Sequence, residues 1–139
     1  METLSEKAIL DINRWGTIIF FFFVLCSVIS EGLLRTASLV FNLSLFAAGC
    51  IAFMTAFVRA VRRSRKEVIS VGGLYFLSGC APKNVRRLMM GLLIIQTVVS
   101  LTAASLRPYT VVASSVLVPV FGLGLSGLWA ANYGKFETR

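Results

Sequence analysis

Histidine is absent from this 139-residue chain, and Asp and Glu together number only six. The absence of histidine removes the commonest general base and the commonest metal ligand. The three cysteines, Cys26, Cys50 and Cys80, are far apart and form no CxxC pair. We expect small buried thiols at these positions and neither a disulfide framework nor a metal site. The sequence therefore predicts no cofactor.

Charge of either sign is also scarce. Charged residues make up 14% of the chain, against about a quarter in ordinary soluble domains. Hydrophobic residues make up 57%, and a soluble fold of this size could not bury that much apolar surface. The length allows one domain, residues 1–139. We therefore predict a single membrane domain.

Four apolar stretches are each close to the ~20 residues that an α-helix needs to cross a bilayer. They cover about residues 12–34, 36–58, 88–106 and 109–133. Pro119 lies inside the fourth stretch, so we expect a kink that releases the carbonyl of Ser115 from its usual partner. The predicted fold is an all-α membrane protein whose four transmembrane helices form two hairpins.

The connector between these hairpins, residues 59–87, carries eight of the fourteen Lys and Arg residues. Cytoplasmic loops collect such residues. With the connector and both termini in the cytoplasm, only Arg35 and Arg107 face outward. This distribution predicts a multi-pass protein of the bacterial plasma membrane, N-terminus in and C-terminus in. Within the connector, residues 68–79 are apolar but too short to span, which suits an interfacial or re-entrant segment.

The basic connector residues are expected to meet anionic lipid head groups or an acidic partner, and not nucleic acid, because they lie beside apolar runs. Topology determination alone explains most of this cluster. The residues are Arg59, Arg62, Arg63, Arg65, Lys66, Arg86 and Arg87.

Small residues recur at intervals of four in the second and fourth stretches. This spacing predicts helix-packing faces that let a neighbouring helix approach closely. The two sets are Ser44, Ala48, Ala52 and Ala56, and Gly122, Ser126, Ala130 and Gly134. The fourth stretch also spells GxGxxG, but no strand precedes it, so close helix contact explains these glycines better than nucleotide binding.

Asn42 and Gln96 are the candidate intramembrane polar side chains of the second and third predicted spans. Each is expected to hydrogen-bond to another helix, while lining of a transport path stays open. Glu31 and Arg35 are four residues apart with the acid first, which predicts an ion pair at the membrane boundary. The alternative is that Glu31 binds a proton or a cation.

Three segments resemble a family of uncharacterised small four-helix actinobacterial membrane proteins. They are GLYFLSGCAPKNVRR (Gly73 to Arg87), RPYT (Arg107 to Thr110) and LVPVFGLGLSGLWAANYGKF (Leu117 to Phe136). The resemblance covers the C-terminal half and implies helical membrane topology. It implies no activity and no functional residue.

Function is predicted from what the spans contain. No span centre contains Asp, Glu, His, Lys or Arg, so we expect no enzyme. Surplus packing surface favours an accessory or structural subunit that contacts other transmembrane helices, in a larger complex or a homo-oligomer. The alternative is a small transporter or channel that acts as an oligomer. Exporters of the small multidrug resistance family have a similar size, but their glutamate lies inside the first helix.

Overall fold

The computed structural model describes residues 4–139, which form helices joined by turns, with one short strand pair. In chain order the elements are α1 (Glu6–Ile29), α2 (Leu33–Arg63), β1 (Glu67–Val68), α3 (Val71–Phe76), α4 (Lys83–Leu106), a 3₁₀ helix (Val111–Leu117), α5 (Pro119–Tyr133) and β2 (Glu137–Thr138). Four helices are long and apolar enough to cross a membrane, counting the 3₁₀ helix and α5 as one. The prediction of a helical chain with four candidate spans is confirmed.

The first two helices begin and end at residues other than the predicted limits of the spans. Ser5 Oγ accepts a hydrogen bond from the Ala8 N–H at 3.2 Å. This cap satisfies a free donor, so α1 begins six residues before the predicted span. The break before α2 contains Gly32, whose φ of 79° suits a residue without a Cβ. Helix α2 then continues to Arg63, past the predicted end at residue 58.

The sequence predicted that Pro119 kinks a continuous α-helix, and this prediction is wrong. The segment before it is a 3₁₀ helix, and Pro119 is the first residue of α5. Proline suits this position because its fixed φ is helical and its missing N–H would be unpaired there anyway. The carbonyl of Ser115 accepts a hydrogen bond from the Val118 N–H at 3.0 Å. The change of helix type therefore satisfies this carbonyl.

Helix α5 is the most buried of the long helices and contacts α1, α2, α3 and α4. Its glycines make this position possible. An added Cβ at Gly124 would overlap the carbonyl oxygen of Gly49 in α2, and one at Gly127 would lie 2.6 Å from the Tyr75 ring. Because the α5 backbone lies directly against the α2 backbone at Gly124 and against the Tyr75 ring at Gly127, α5 lies inside the bundle.

The outer surfaces of α1, α2 and α4 are largely apolar between their charged ends. In α1, Phe21 and Phe22 are 50% and 62% exposed, whereas Phe20 is buried. Phe23 stacks on Phe41 of α2, with ring centroids 4.8 Å apart. Soluble monomers rarely expose apolar surface of this extent. It is compatible with a membrane location.

The connector and the C-terminal tail are joined at one end of the bundle. Strands β1 and β2 pair antiparallel, with Glu67 opposite Thr138. The Lys135 N–H donates to the Cys80 carbonyl at 2.9 Å, and the Arg139 N–H donates to the Lys66 carbonyl at 3.1 Å. Because α2 ends later and α4 begins earlier than expected, the connector between them is residues 64–82.

Candidate functional site

A polar cluster joins α1 to α4 inside the bundle. Gln96 Nε2 donates to Asn13 Oδ1 at 3.1 Å and to Thr17 Oγ1 at 2.7 Å. Thr17 Oγ1 in turn donates to the Asn13 carbonyl at 2.7 Å. Asn13 and Gln96 are fully buried, and Thr17 nearly so. The amide of Gln96 therefore connects two helices, as the hydrogen-bonding interpretation expects.

Gly122 of α5 closes the other side of this cluster. A Cβ at Gly122 would overlap Gln96 Oε1, so a larger residue there would require the amide to shift. Gln96 Oε1 has no hydrogen-bond donor among the described residues. Asn13 Nδ2 lies 3.2 Å from Met89 Sδ. Sequence reasoning overlooked Asn13 because it lies near an N-terminal segment of mixed charge; the four-residue spacing of Asn13 and Thr17 was the available signal.

Asn42 connects α2 to the 3₁₀ helix. Its Nδ2 donates to Ser114 Oγ at 3.2 Å, and its buried Oδ1 has no donor within residues 4–139. The neighbouring Ser115 Oγ donates to the Ser100 carbonyl of α4 at 3.2 Å. The 3₁₀ segment therefore binds helices on two sides through hydroxyl groups.

The predicted small-residue face of α2 divides between the inside and the outside of the bundle. Ala52 and Ala56 are buried, whereas Ser44 and Ala48 are exposed. Each four-residue step advances about 40° beyond one full turn, so the three steps rotate the face by about 120°. The face that packs inside follows alternating steps of three and four. It consists of Asn42, Leu45, Gly49, Ala52 and Ala56, with Ser38 and Ala60 at its ends.

The small residues of α5 are all buried. Gly122, Ser126 and Ala130 lie within the helix, and Gly134 follows its end. Ser126 Oγ donates to the Gly122 carbonyl at 2.9 Å, so its hydroxyl needs no other helix. The glycines of the GxGxxG pattern contact Gln96, Gly49 and Tyr75, which is the close helix contact that the sequence favoured.

Two arginines lie at the end of the bundle opposite the connector. Arg35 Nη2 is 3.5 Å from Glu31 Oε1, an ion-pair distance without hydrogen-bond geometry. Glu31 precedes α2, and its side chain is 77% exposed, which favours the boundary pair over a buried proton-binding acid. Arg35 Nε donates to the Ser27 carbonyl and Arg107 Nη2 to the Val28 carbonyl, both at 3.4 Å. Both cations therefore lie at the negative C-terminal end of α1.

Arg63 binds the C-terminal end of α5. Its Nη1 donates to the Ala131 carbonyl and its Nη2 to the Gly134 carbonyl, each at 3.0 Å. Nη2 also forms an ion pair with Glu67 at 2.6 Å. The guanidinium carbon lies 5.4 Å from the centroid of the Phe136 ring. A positive charge at a helix C-terminus interacts favourably with the helix dipole, and its donors pair with free carbonyls.

Arg59 is also engaged within the protein, because its Nη1 donates to Asn132 Oδ1. Two of the seven arginines and lysines predicted to meet head groups are thus bound to α5 and its end. The remaining five have exposed side chains: Arg62, Arg65, Lys66, Arg86 and Arg87. The head-group hypothesis now depends on these five residues.

Cys80 is buried in the loop before α4, and the other two cysteines are partly buried; all three are free. Cys80 Sγ donates to the Gly73 carbonyl at 3.0 Å. Burial raises the pKa of the Cys80 thiol, and this effect exceeds the opposing effects of its backbone hydrogen bond and of Arg63 and Arg86. We therefore expect a protonated thiol of low reactivity.

The fold and these contacts define a helical chain with four candidate membrane-spanning helices and buried polar links between them. No protein family model, curated protein or solved structure matches the chain. The resemblance of the C-terminal half to small actinobacterial membrane proteins therefore stays a prediction.

Proposed function

We propose that the chain is a multi-pass membrane protein that packs against other transmembrane helices, as an accessory or structural subunit of a larger complex or as a homo-oligomer. The supporting observation is the outer face of α2. Ser44 and Ala48 are exposed there, between the exposed side chains of Val40 and Ile51. Small residues on a lipid-facing surface let a second helix approach closely. No catalytic role is part of this proposal.

The proposed orientation has both termini and the connector in the cytoplasm of a bacterium. These three parts lie together: Tyr133 Oη donates to the Leu4 carbonyl at 2.6 Å, and Lys135 N–H binds Cys80. Twelve of the fourteen Lys and Arg residues belong to this end, which favours the cytoplasmic side. A reporter fused after Arg107 should therefore be periplasmic; cytoplasmic reporter activity would contradict the orientation.

The helix-packing proposal is tested by Ser44→Leu, with Ser105→Leu as the matched control. Both serines are exposed, and each donates to the carbonyl four residues earlier at 2.8 Å. After purification from native membranes in mild detergent, we expect Ser44→Leu to lose about fivefold of the co-purifying partner or self-association. Ser105→Leu should lose none. Equal recovery with both variants would refute the outer face of α2 as a contact surface.

A transporter or channel is the second candidate, favoured by Asn42 Oδ1 and Gln96 Oε1, buried amide oxygens that have no donor in the described part of the chain. Buried acceptors of this kind suit a passing cation or proton-bearing substrate. Flux into liposomes is the measurement, with Gln96→Leu and Glu31→Gln as variants. Unchanged flux in both variants would remove Gln96 and Glu31 from any transport mechanism.

A further inference from the structure

An apolar groove lies between the last three turns of α2 and the segment that contains α3; we name it the α2–α3 groove. Its volume is about 420 Å³, and its walls include Phe53, Phe57 and Val61 on one side and Ile69 and Leu74 on the other. This volume lies within the ~300–1,000 Å³ of ordinary ligand clefts. The groove exists because α3 packs against α5, while Tyr75 of α3 stacks on Phe53 of α2.

One end of the groove is formed by two stacked aromatic rings. The Phe53 and Tyr75 rings stack with centroids 4.2 Å apart and an interplanar angle of 8°. Tyr75 Oη donates to the Phe53 carbonyl at 3.3 Å, so the hydroxyl is already paired. Ser70 Oγ accepts a hydrogen bond from the Gly73 N–H. A ligand that contacts the two rings therefore meets hydrocarbon surface.

The groove extends from the uncharged part of α2 into its charged end. Phe53 and Phe57 precede Arg59, the first charged residue after Arg35 in that helix. From Phe53 to Ser64 the helix rises about 16 Å. At 31 residues, α2 is longer than the ~30 Å hydrocarbon core requires. The groove therefore crosses from acyl-chain depth to head-group depth.

Positive charge lies at the head-group end. Arg65 and Lys66 are exposed and lie between Ser64 and Ile69, both of which line the groove. Neither belongs to the ion pairs found in residues 4–139. The acids nearby are fewer. Glu67 is paired with Arg63. This leaves Glu137, on the strand paired with β1, against the additional cations Arg62 and Arg139.

We infer that the α2–α3 groove binds one acyl chain of an anionic phospholipid whose phosphate is held by Arg65 and Lys66. Apolar walls at acyl depth and unpaired cations at head-group depth together match this ligand. The inference rests on the proposed membrane location, and it is independent of the proposed helix partner on the outer face of α2.

Native mass spectrometry of the purified full chain, titrated with dioleoylphosphatidylglycerol or dioleoylphosphatidylcholine, tests the inference. We expect one tightly bound phosphatidylglycerol molecule per chain and weaker binding of phosphatidylcholine. Removing both charges in the Arg65→Gln, Lys66→Gln double variant should weaken phosphatidylglycerol binding roughly 30-fold. The Arg86→Gln, Arg87→Gln double variant removes the same charge elsewhere and should change it little. Equal loss in the two double variants would overturn the assigned site.

The groove itself is tested by Val61→Trp, which fills it. Val58→Trp is the control, because Val58 and Val61 are 49% and 51% exposed and Val58 does not line the groove. Val61→Trp should abolish the tight binding of phosphatidylglycerol, and Val58→Trp should retain that binding. Retained binding in Val61→Trp, or equal affinity for the two lipids, overturns the inference. A dimer that only Val61→Trp dissociates would instead assign the groove to a second copy of the chain.

The membrane location is tested separately by flotation of the full chain with liposomes. A chain that floats but shows no phosphatidylglycerol preference refutes the lipid site alone. A chain that does not float refutes the proposed membrane location as well.

Discussion

Replacement of Arg63 by alanine should be among the most destabilising changes at the connector end of the bundle. The side chain binds the Ala131 and Gly134 carbonyls at 3.0 Å, pairs with Glu67 and stacks on Phe136. Hydrogen bonds from a charged donor contribute about 1.5–3 kcal/mol each when buried. The Arg63 and Glu67 side chains are 28% and 25% exposed, so solvent screens part of this. We expect a loss of about 2–4 kcal/mol.

The assay is equilibrium unfolding in mixed micelles with increasing dodecyl sulfate, followed by tryptophan fluorescence. Trp129 is a suitable reporter because it is buried in α5 next to the carbonyls that Arg63 binds. Arg62→Ala, an exposed neighbour, is the control. Arg63→Lys should recover less than half of the loss, because lysine lacks the planar fork. If Arg63→Ala and Arg62→Ala agree within about 0.5 kcal/mol, the argument is refuted.

Two further predictions concern backbone contact and thiol chemistry. Gly124→Ala should lower the free energy of unfolding by more than about 2 kcal/mol, because its Cβ would overlap the Gly49 carbonyl. Gly91 has open space around it, so Gly91→Ala should raise the free energy of unfolding by up to ~1 kcal/mol. Similar effects of the two variants in the same titration would contradict the close contact of α2 and α5. In a variant with Cys80 as its single cysteine, the pH midpoint of alkylation should be high, because burial raises the Cys80 pKa. The control is Ser78→Cys in a cysteine-free chain, whose midpoint should be lower. Coincident pH profiles would contradict this prediction.

Sequence reasoning recovered the helices because their signal is local. A run of about twenty apolar residues is long enough to cross a bilayer, wherever the rest of the chain lies. The helix limits depend on single residues with particular backbone roles. Ser5 extends α1 toward the N-terminus, and the positive φ of Gly32 separates α1 from α2. Neither residue stands out by hydropathy.

The contacts between helices were less predictable. A four-residue pattern on α2 indicated one face, but its slow rotation around the helix leaves Ser44 outside while Ala56 is inside. Arg63 was indistinguishable from Arg62 in sequence, because only the position of α5 decides which of them meets carbonyl groups. Gln96 was identified, but its partner Asn13 lies 83 residues away along the chain. Such pairings depend on tertiary structure.

The contact between Arg63 and α5 also sets an order for biogenesis. Ribosomes add residues from the amino end, so this guanidinium emerges well before the peptide groups at Ala131 and Gly134 exist. If the chain spans a bilayer as proposed, water solvates this cation during that interval and holds the nascent first half at the membrane surface. Once α5 is in place, its carbonyls replace part of that water, and the Arg63 side chain stays 28% exposed. Copies truncated before α5 lack this contact.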